Sequence, residues 1–207
     1  MSLFITFEGG EGSGKSVQAK ALYRRLTKSA IPALLTHEPG GTPFGNKLGR
    51  WLKWVQGAAL SPLVELMLFN ASRAQLVTEV IKPNLKSGKV VISDRYADST
   101  TAYQGYGRGL DLEMVKATNN AATQGLKPDL AILLDISTEE GLARKRKRQD
   151  RFEREELSFH HRVRKGYLKM AADEPERWLV VDASQSKREI TKTIWQRVSQ
   201  LLSTGGG

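Results

Sequence analysis

Gly9-Gly10-Glu11-Gly12-Ser13-Gly14-Lys15-Ser16 carries the spacing G-x-x-x-x-G-K-S directly after the apolar run Leu3-Phe4-Ile5-Thr6-Phe7. That run has the length and the β-branched and aromatic content of a buried strand, and apolar residues recur at helical spacing from Val17 to Lys28. Strand, glycine-rich turn and helix in this order make a cradle for phosphate. Glycines keep Cβ atoms out of the turn, so successive backbone N–H groups can converge on phosphate oxygens. The helix N-terminus faces the same anion. Lys15 then reaches the β- and γ-phosphates of a nucleotide as a point charge, and the Ser16 hydroxyl suits Mg²⁺. The alternative is a glycine-rich turn that binds nothing, which has no need of the terminal Lys-Ser pair.

Two other segments hold chemistry-bearing residues, Thr36-His37-Glu38-Pro39-Gly40-Gly41-Thr42 and Asp94-Arg95-Tyr96. Each follows a short apolar run. Strands are predicted at Leu3 to Phe7, Ala33 to Thr36, Val90 to Ser93, Leu130 to Asp135 and Trp178 to Val181, with helical patterns between them. Such alternation implies an α/β fold, a five-stranded parallel sheet with helices on both faces. In an open sheet of this kind the ligand sits beyond the carboxyl ends of the strands, so the three segments should meet at one rim.

Helices are predicted from Val17 to Lys28, within Pro62 to Leu85, and over Leu112 to Gln124, Glu153 to Ala172 and Lys187 to Leu202. Ser61-Pro62, Asp111 and Ser137-Thr138 supply starts. Gly40 to Pro43 and Gly105 to Gly109 read as loops. Ser203 to Gly207 reads as a flexible tail, and residues 1–204 read as a single domain ahead of the terminal glycines 205–207.

The chain has 207 residues, no cysteine and a formal net charge of +10. Without cysteine there is no disulfide framework and no thiolate metal site. No run approaches the length of a membrane span, and the first apolar stretch stops at Glu8 without a basic flank or cleavage site, so a cytoplasmic location is expected. The positive charge fits nucleic acid, a membrane surface or a multiply charged small anion. Its densest block is Arg144-Lys145-Arg146-Lys147-Arg148, with Arg151 and Arg154 close behind.

The phosphate loop, Thr36 to Thr42, Asp94-Arg95-Tyr96 with Ser99 and Ala102-Tyr103-Gln104-Gly105, and Asp150-Arg151-Phe152-Glu153 occur in the order and spacing of thymidylate kinases. The chain resembles a bacterial member of that family over nearly all its length, including Glu174-Pro175-Glu176-Arg177. The resemblance implies a P-loop nucleoside monophosphate kinase fold with a lid at about 141–154, a homodimer, and Mg²⁺-dependent transfer of the ATP γ-phosphoryl group to dTMP.

By the same resemblance Gly9 to Val17 bind ATP, with Lys15, Arg95 and Arg151 catalytic. Phe69 stacks on thymine, where an ordinary core residue is the alternative, and Arg73 donates to a thymine carbonyl. Arg95 clamps the dTMP phosphate. Thr100 and Gln104 read the base edge, and Tyr103 occupies the space of a 2′-hydroxyl or is simply a packed aromatic. Glu11 lies near the sugar 3′-hydroxyl, and Glu38 belongs to the acceptor site. Asp94 either holds the magnesium water shell or orients Arg95. The phosphate loop holds Glu11 and no arginine, so the resemblance is to the class that places its catalytic arginine in the lid, here Arg151. Arg144, Arg146 and Arg148 either help to grip ATP or form a solvated helix face.

Three positions depart from the family pattern. His37 stands where many relatives have arginine, Gly49 stands where an arginine often meets the acceptor phosphate, and the lid between Gly141 and Arg151 is compact. Three competing readings remain at this stage, a P-loop kinase with another nucleotide acceptor, a P-loop regulator or ATPase that binds nucleic acid through residues 144–154, and a degenerate paralogue of reduced activity.

Overall fold

The computed structural model describes residues 2–54, 60–144 and 150–204. Five parallel strands, β1 (Leu3–Glu8), β2 (Ala33–His37), β3 (Val90–Asp94), β4 (Leu130–Asp135) and β5 (Trp178–Asp182), lie in the order β2-β3-β1-β4-β5. β1 is wholly buried, as the apolar run Leu3 to Phe7, broken only by Thr6, requires of a strand covered on both faces. Alternate β1 residues divide between two cores. Leu3, Ile5 and Phe7 pack with Leu22 and Leu26 of α1 (Lys15–Lys28) and with Ile190, Ile194 and Val198 of α9 (Lys187–Thr204). Phe4 points the other way, into a cluster with Leu76, Val77 and Ile81.

The register fixes the rim. Phe7 and His37 both pair with Asp94, so the ends of β1, β2 and β3 are level. The phosphate loop, Glu38 and Arg95 therefore all begin at one edge, on the side of the sheet where strand order reverses about β1.

The remaining helices are α2 (Pro43–Trp54), α3 (Pro62–Leu76), α4 (Lys82–Lys86), α5 (Ala97–Thr100), α6 (Leu112–Thr123), α7 (Thr138–Ala143) and α8 (Leu157–Asp173). A π-helical turn, Val77–Ile81, joins α3 to α4, and a second, Thr101–Gly107, continues α5. Ser61, Asp111 and Ser137 each accept the N–H three residues on, capping α3, α6 and α7.

Four sequence expectations change. Gly105 and Gly107 lie inside the π-helical turn rather than in a loop. A Cβ on Gly107 would come within 2.6 Å of the Phe159 ring, and one on Gly166 within 2.6 Å of the Tyr106 ring. These glycines let the turn and α8 approach closely, and glycine read as a helix breaker conceals that role. The helix expected from Glu153 begins at Leu157, because Asp150 to Glu153 form a closed turn instead. α2 is absent from the helices that apolar spacing predicts. Ser203 and Thr204 belong to α9 and not to a tail. The arginines at 146 and 148 and the glycines at 205–207 lie outside the described residues.

Candidate active site

A cavity of about 730 Å³ opens at the rim, lined by the phosphate loop, Glu38, Phe69, Arg73, Asp94, Arg95, Thr100, Tyr103 and Gln104. At its loop end Lys15 is buried, with Nζ donating to the Gly10 carbonyl at 2.6 Å and to Ser13 Oγ at 3.2 Å. Burial, and then the neighbouring Arg95, lower its ammonium to about 8. The Ser16 hydroxyl donates to Asp94 Oδ2, so the two magnesium candidates are already side by side. Val17 lines the same wall. The loop also touches α7 backbone to backbone. A Cβ on Gly12, at φ +68°, would meet the Gly141 carbonyl oxygen at 1.9 Å, and one on Gly141 would meet the Glu11 carbonyl oxygen at 2.4 Å.

Arg95 adopts a left-handed backbone at φ +74°, a conformation that costs roughly 1–3 kcal/mol for a residue with a side chain. Three bonds hold it there. Its N–H donates to the Phe7 carbonyl, its carbonyl accepts from Ser93 Oγ, and the next N–H, of Tyr96, donates to Glu8 Oε1. The guanidinium is thereby turned into the cavity, where NH2 donates to Glu11 Oε1 at 2.7 Å and to the Tyr103 hydroxyl at 3.1 Å. NH1 donates to Gly9 O and Ser99 Oγ, both at 3.2 Å. Among the described residues none accepts from its Nε–H.

Glu8, fully buried beneath, accepts from Ser99 Oγ at 2.6 Å and from the Tyr167 hydroxyl at 3.2 Å. Burial, with Asp98 nearby, pushes its carboxyl up to about 8. The sequence reading did not single out Glu8, although a carboxylate at the end of an apolar strand is a signal in itself.

At the far end, Arg73 is buried with its donors engaged inside the protein. Nε donates to Glu38 Oε2 at 2.9 Å, NH1 to Asn70 Oδ1 and Asn119 Oδ1, and NH2 to Tyr96 O and Thr100 Oγ1. Direct donation from Arg73 to a base would require one of these partners to be given up. Phe69 is half-buried and lies 5.7 Å from Phe152, ring centre to ring centre, with Tyr103 6.1 Å from Phe152. Phe152 lines the cavity, a position that the sequence reading missed.

The Asp150 to Glu153 segment explains that placement. Asp150 Oδ1 accepts the N–H groups of Phe152 and Glu153, and Glu153 Oε2 accepts the N–H of Asp150, a reciprocal closure resembling a capping box. The turn brings Phe152 inward and directs Arg151 to α3. Arg151 Nε donates to the Leu52 carbonyl at 3.1 Å and NH1 to Glu65 Oε1 at 2.6 Å. Its NH2 is buried without a partner among the described residues. Among the described residues of the basic stretch, Arg144 lines the cavity and Arg151 does not.

Of the departures, His37 lines the cavity with its imidazole lowered by burial and by Lys53. Gly49 packs on the Glu38-Pro39 turn, where a Cβ would meet the Pro39 carbonyl oxygen at 2.8 Å. An arginine there would need this turn to move, and Arg50, on the exposed face of α2, does not replace it.

A parallel α/β sheet with a phosphate loop at the end of its central strand, and an arginine facing that loop across an aromatic cavity, defines a P-loop kinase of nucleoside monophosphates. The thymidylate kinase family model matches residues 7–194. A thymidylate kinase of Dehalococcoides mccartyi is 59% identical over 203 residues, 98% of each chain. One from Roseiflexus is 46% identical over 218 residues, covering 99% of this chain and 96% of that one. The crystal structure of thymidylate kinase from Ehrlichia chaffeensis superposes with a TM-score of 0.79 at 32% identity, over 96% of this chain and 98% of that one. The chain belongs to the thymidylate kinase family. It is a phosphotransferase that uses ATP.

Proposed function

We propose that the enzyme transfers the γ-phosphoryl group of ATP to the phosphate of dTMP, forming dTDP for dTTP synthesis. One observation carries this reading: a single cavity holds a phosphate loop at one end, an aromatic and amide-bearing pocket at the other, and Arg95 between them. A reaction joining two phosphate-bearing substrates needs that layout, because phosphoryl transfer depends on alignment and positive charge more than on covalent chemistry.

Lys15 and the N–H groups of the loop grip the ATP phosphates, and Arg95 takes the acceptor phosphate through its fork and its free Nε–H. Glu11 holds Arg95 and Tyr103 together beside the place of the deoxyribose. Tyr103, packed against Phe152, Phe159 and Tyr167, fills the space of a 2′-hydroxyl. Phe69 and Phe152 flank the base, while Thr100 and Gln104 face its edge. Glu38 holds Arg73, which acts on the base by positioning Thr100. Ser16 and Asp94 are hard oxygen donors in contact, which suits Mg²⁺, a cation that keeps most of its waters and takes few protein ligands. Bound with ATP it neutralises phosphate charge.

Arg151 is the third catalytic cation in this reading. To reach the transferring group it must exchange Glu65 for phosphate, a movement assigned to the lid of residues 141–154. The exposed apolar residues Phe44 and Trp51 of α2 and Leu63, Val64 and Met67 of α3 support a homodimer formed through these helices. No helix of the described residues is long and apolar enough to cross a membrane, and with the absence of cysteine this supports a cytoplasmic location.

The test is nucleoside diphosphate formation from ATP and Mg²⁺ with dTMP, dUMP, dCMP, dGMP or no acceptor. Product mainly from dTMP is expected. Comparable product from dCMP or dGMP, or ADP formed without an acceptor, overturns the assignment.

A further inference from the structure

Thr100 and Gln104 lie about one helical turn apart on the cavity wall, and each has its hydrogen-bonding polarity set from behind. Arg73 NH2 donates to Thr100 Oγ1 at 2.7 Å, which leaves the threonine proton free to point into the cavity. Gln104 Nε2 donates to Glu65 Oε2 at 3.0 Å. Glu65 is itself buried and meets Arg108 NH2 at 3.1 Å and Arg151 NH1 at 2.6 Å through Oε1. A carboxylate facing two guanidinium groups presents only lone pairs. The Gln104 amide must therefore turn its NH₂ to Glu65, and its carbonyl oxygen, to which no described residue donates, is left for the cavity.

We propose that Glu65 is a specificity-determining residue, which by fixing the orientation of the Gln104 amide makes the cavity select bases that carry a ring N–H beside a carbonyl. Thr100 offers a donor and Gln104 an acceptor. Thymine and uracil present the complement of that pair. Cytosine and adenine carry a lone pair at the corresponding ring nitrogen, which would face the Gln104 oxygen and leave two acceptors opposed without a proton between them. Glu65 touches no substrate, and acts by removing the choice that a free amide would have. Arg108, through NH2 and Nε, keeps that carboxylate in place when Arg151 exchanges it for phosphate. The inference rests on the dTMP reading, in which Thr100 and Gln104 face the base.

The test compares kcat/KM for dTMP, dUMP and dCMP in the full-length enzyme and in Glu65→Gln. A glutamine at 65 can turn either its oxygen or its NH₂ toward Gln104, so the amide is free to flip. The dTMP to dCMP ratio is expected to fall by about tenfold or more, while the dTMP to dUMP ratio, which depends on the methyl group, stays within about twofold. A role confined to stability would lower all three rates together and leave both ratios unchanged, overturning the proposal. Should Glu65→Gln fail to fold, Glu65→Gln with Arg108→Met removes one charge of each sign, and the same ratios decide. Gln104→Leu separates the two levels of argument. If it leaves the dTMP to dCMP ratio unchanged, the placement of Gln104 on the base is wrong. If it lowers the ratio and Glu65→Gln does not, the inference about Glu65 alone falls.

Discussion

Each side chain at this site is defined by what is bonded behind it. Glu8 shows this most directly, since its carboxyl is held up at about 8, against 4.5 for an exposed one, by burial and then by Asp98, with Ser99, Arg95 and Tyr167 opposing. The folded protein therefore binds more protons than the unfolded chain between those two values. Stability from this group is present below 4.5 and is lost as pH rises through about 8. Urea midpoints measured from pH 5 to pH 9 are expected to fall more steeply with pH in the parent than in Glu8→Gln, and parallel curves would remove Glu8 from the balance. Arg151→Ala is expected to lower kcat by about 10³-fold, the lower end for an arginine acting on a transferring phosphoryl group, with the KM for dTMP little changed. Steady-state kinetics with unaltered kcat would make the Glu65 pair its whole role. The residue types of this site were legible in the sequence because their spacing is motif-like. Their partners were not, because the contacts of Arg73 reach Glu38 and Asn119, far away along the chain and brought near only by the sheet.

Elements with a regular apolar period were legible, and those shaped by close approach were not. The five strands fall within a residue or two of their expected bounds, β1, β3 and β4 because strands buried on both faces read as nearly continuous apolar runs, and the partly covered edge strands β2 and β5 because each is a short apolar stretch between helical patterns. The π-helical turn at Thr101–Gly107 was misread in part because its glycines serve packing, with Gly107 against Phe159 and Gly166 against Tyr106. Adding one methyl group at that contact should force the two helices apart. Gly166→Ala is expected to destabilise the fold by about 1–3 kcal/mol, the usual result of overpacking, and to lower the melting temperature. Calorimetry showing an unchanged or raised melting temperature would mean that the interface has slack. The last helix before β5 was expected from Glu153 and begins at Leu157, because Glu153 closes a turn with Asp150 instead.

At the scale of the whole molecule, strand order and register bring three separate segments to one rim, an arrangement that the alternating pattern made foreseeable. The exposed apolar faces of α2 and α3, the proposed dimer face, were not foreseeable from periodicity, because an apolar face left exposed has the same spacing as one that meets a core. Met67→Glu is expected to shift the enzyme from dimer to monomer in sedimentation velocity, and a sedimentation coefficient unchanged from a dimeric parent would place the interface elsewhere. The contact between Gly12 and Gly141 has a mechanical consequence. Two bare backbones in touch form a bearing with no side chain to absorb play, so on the proposed lid assignment a shift of the phosphate loop would pass directly to Gly141, the residue at which that lid begins.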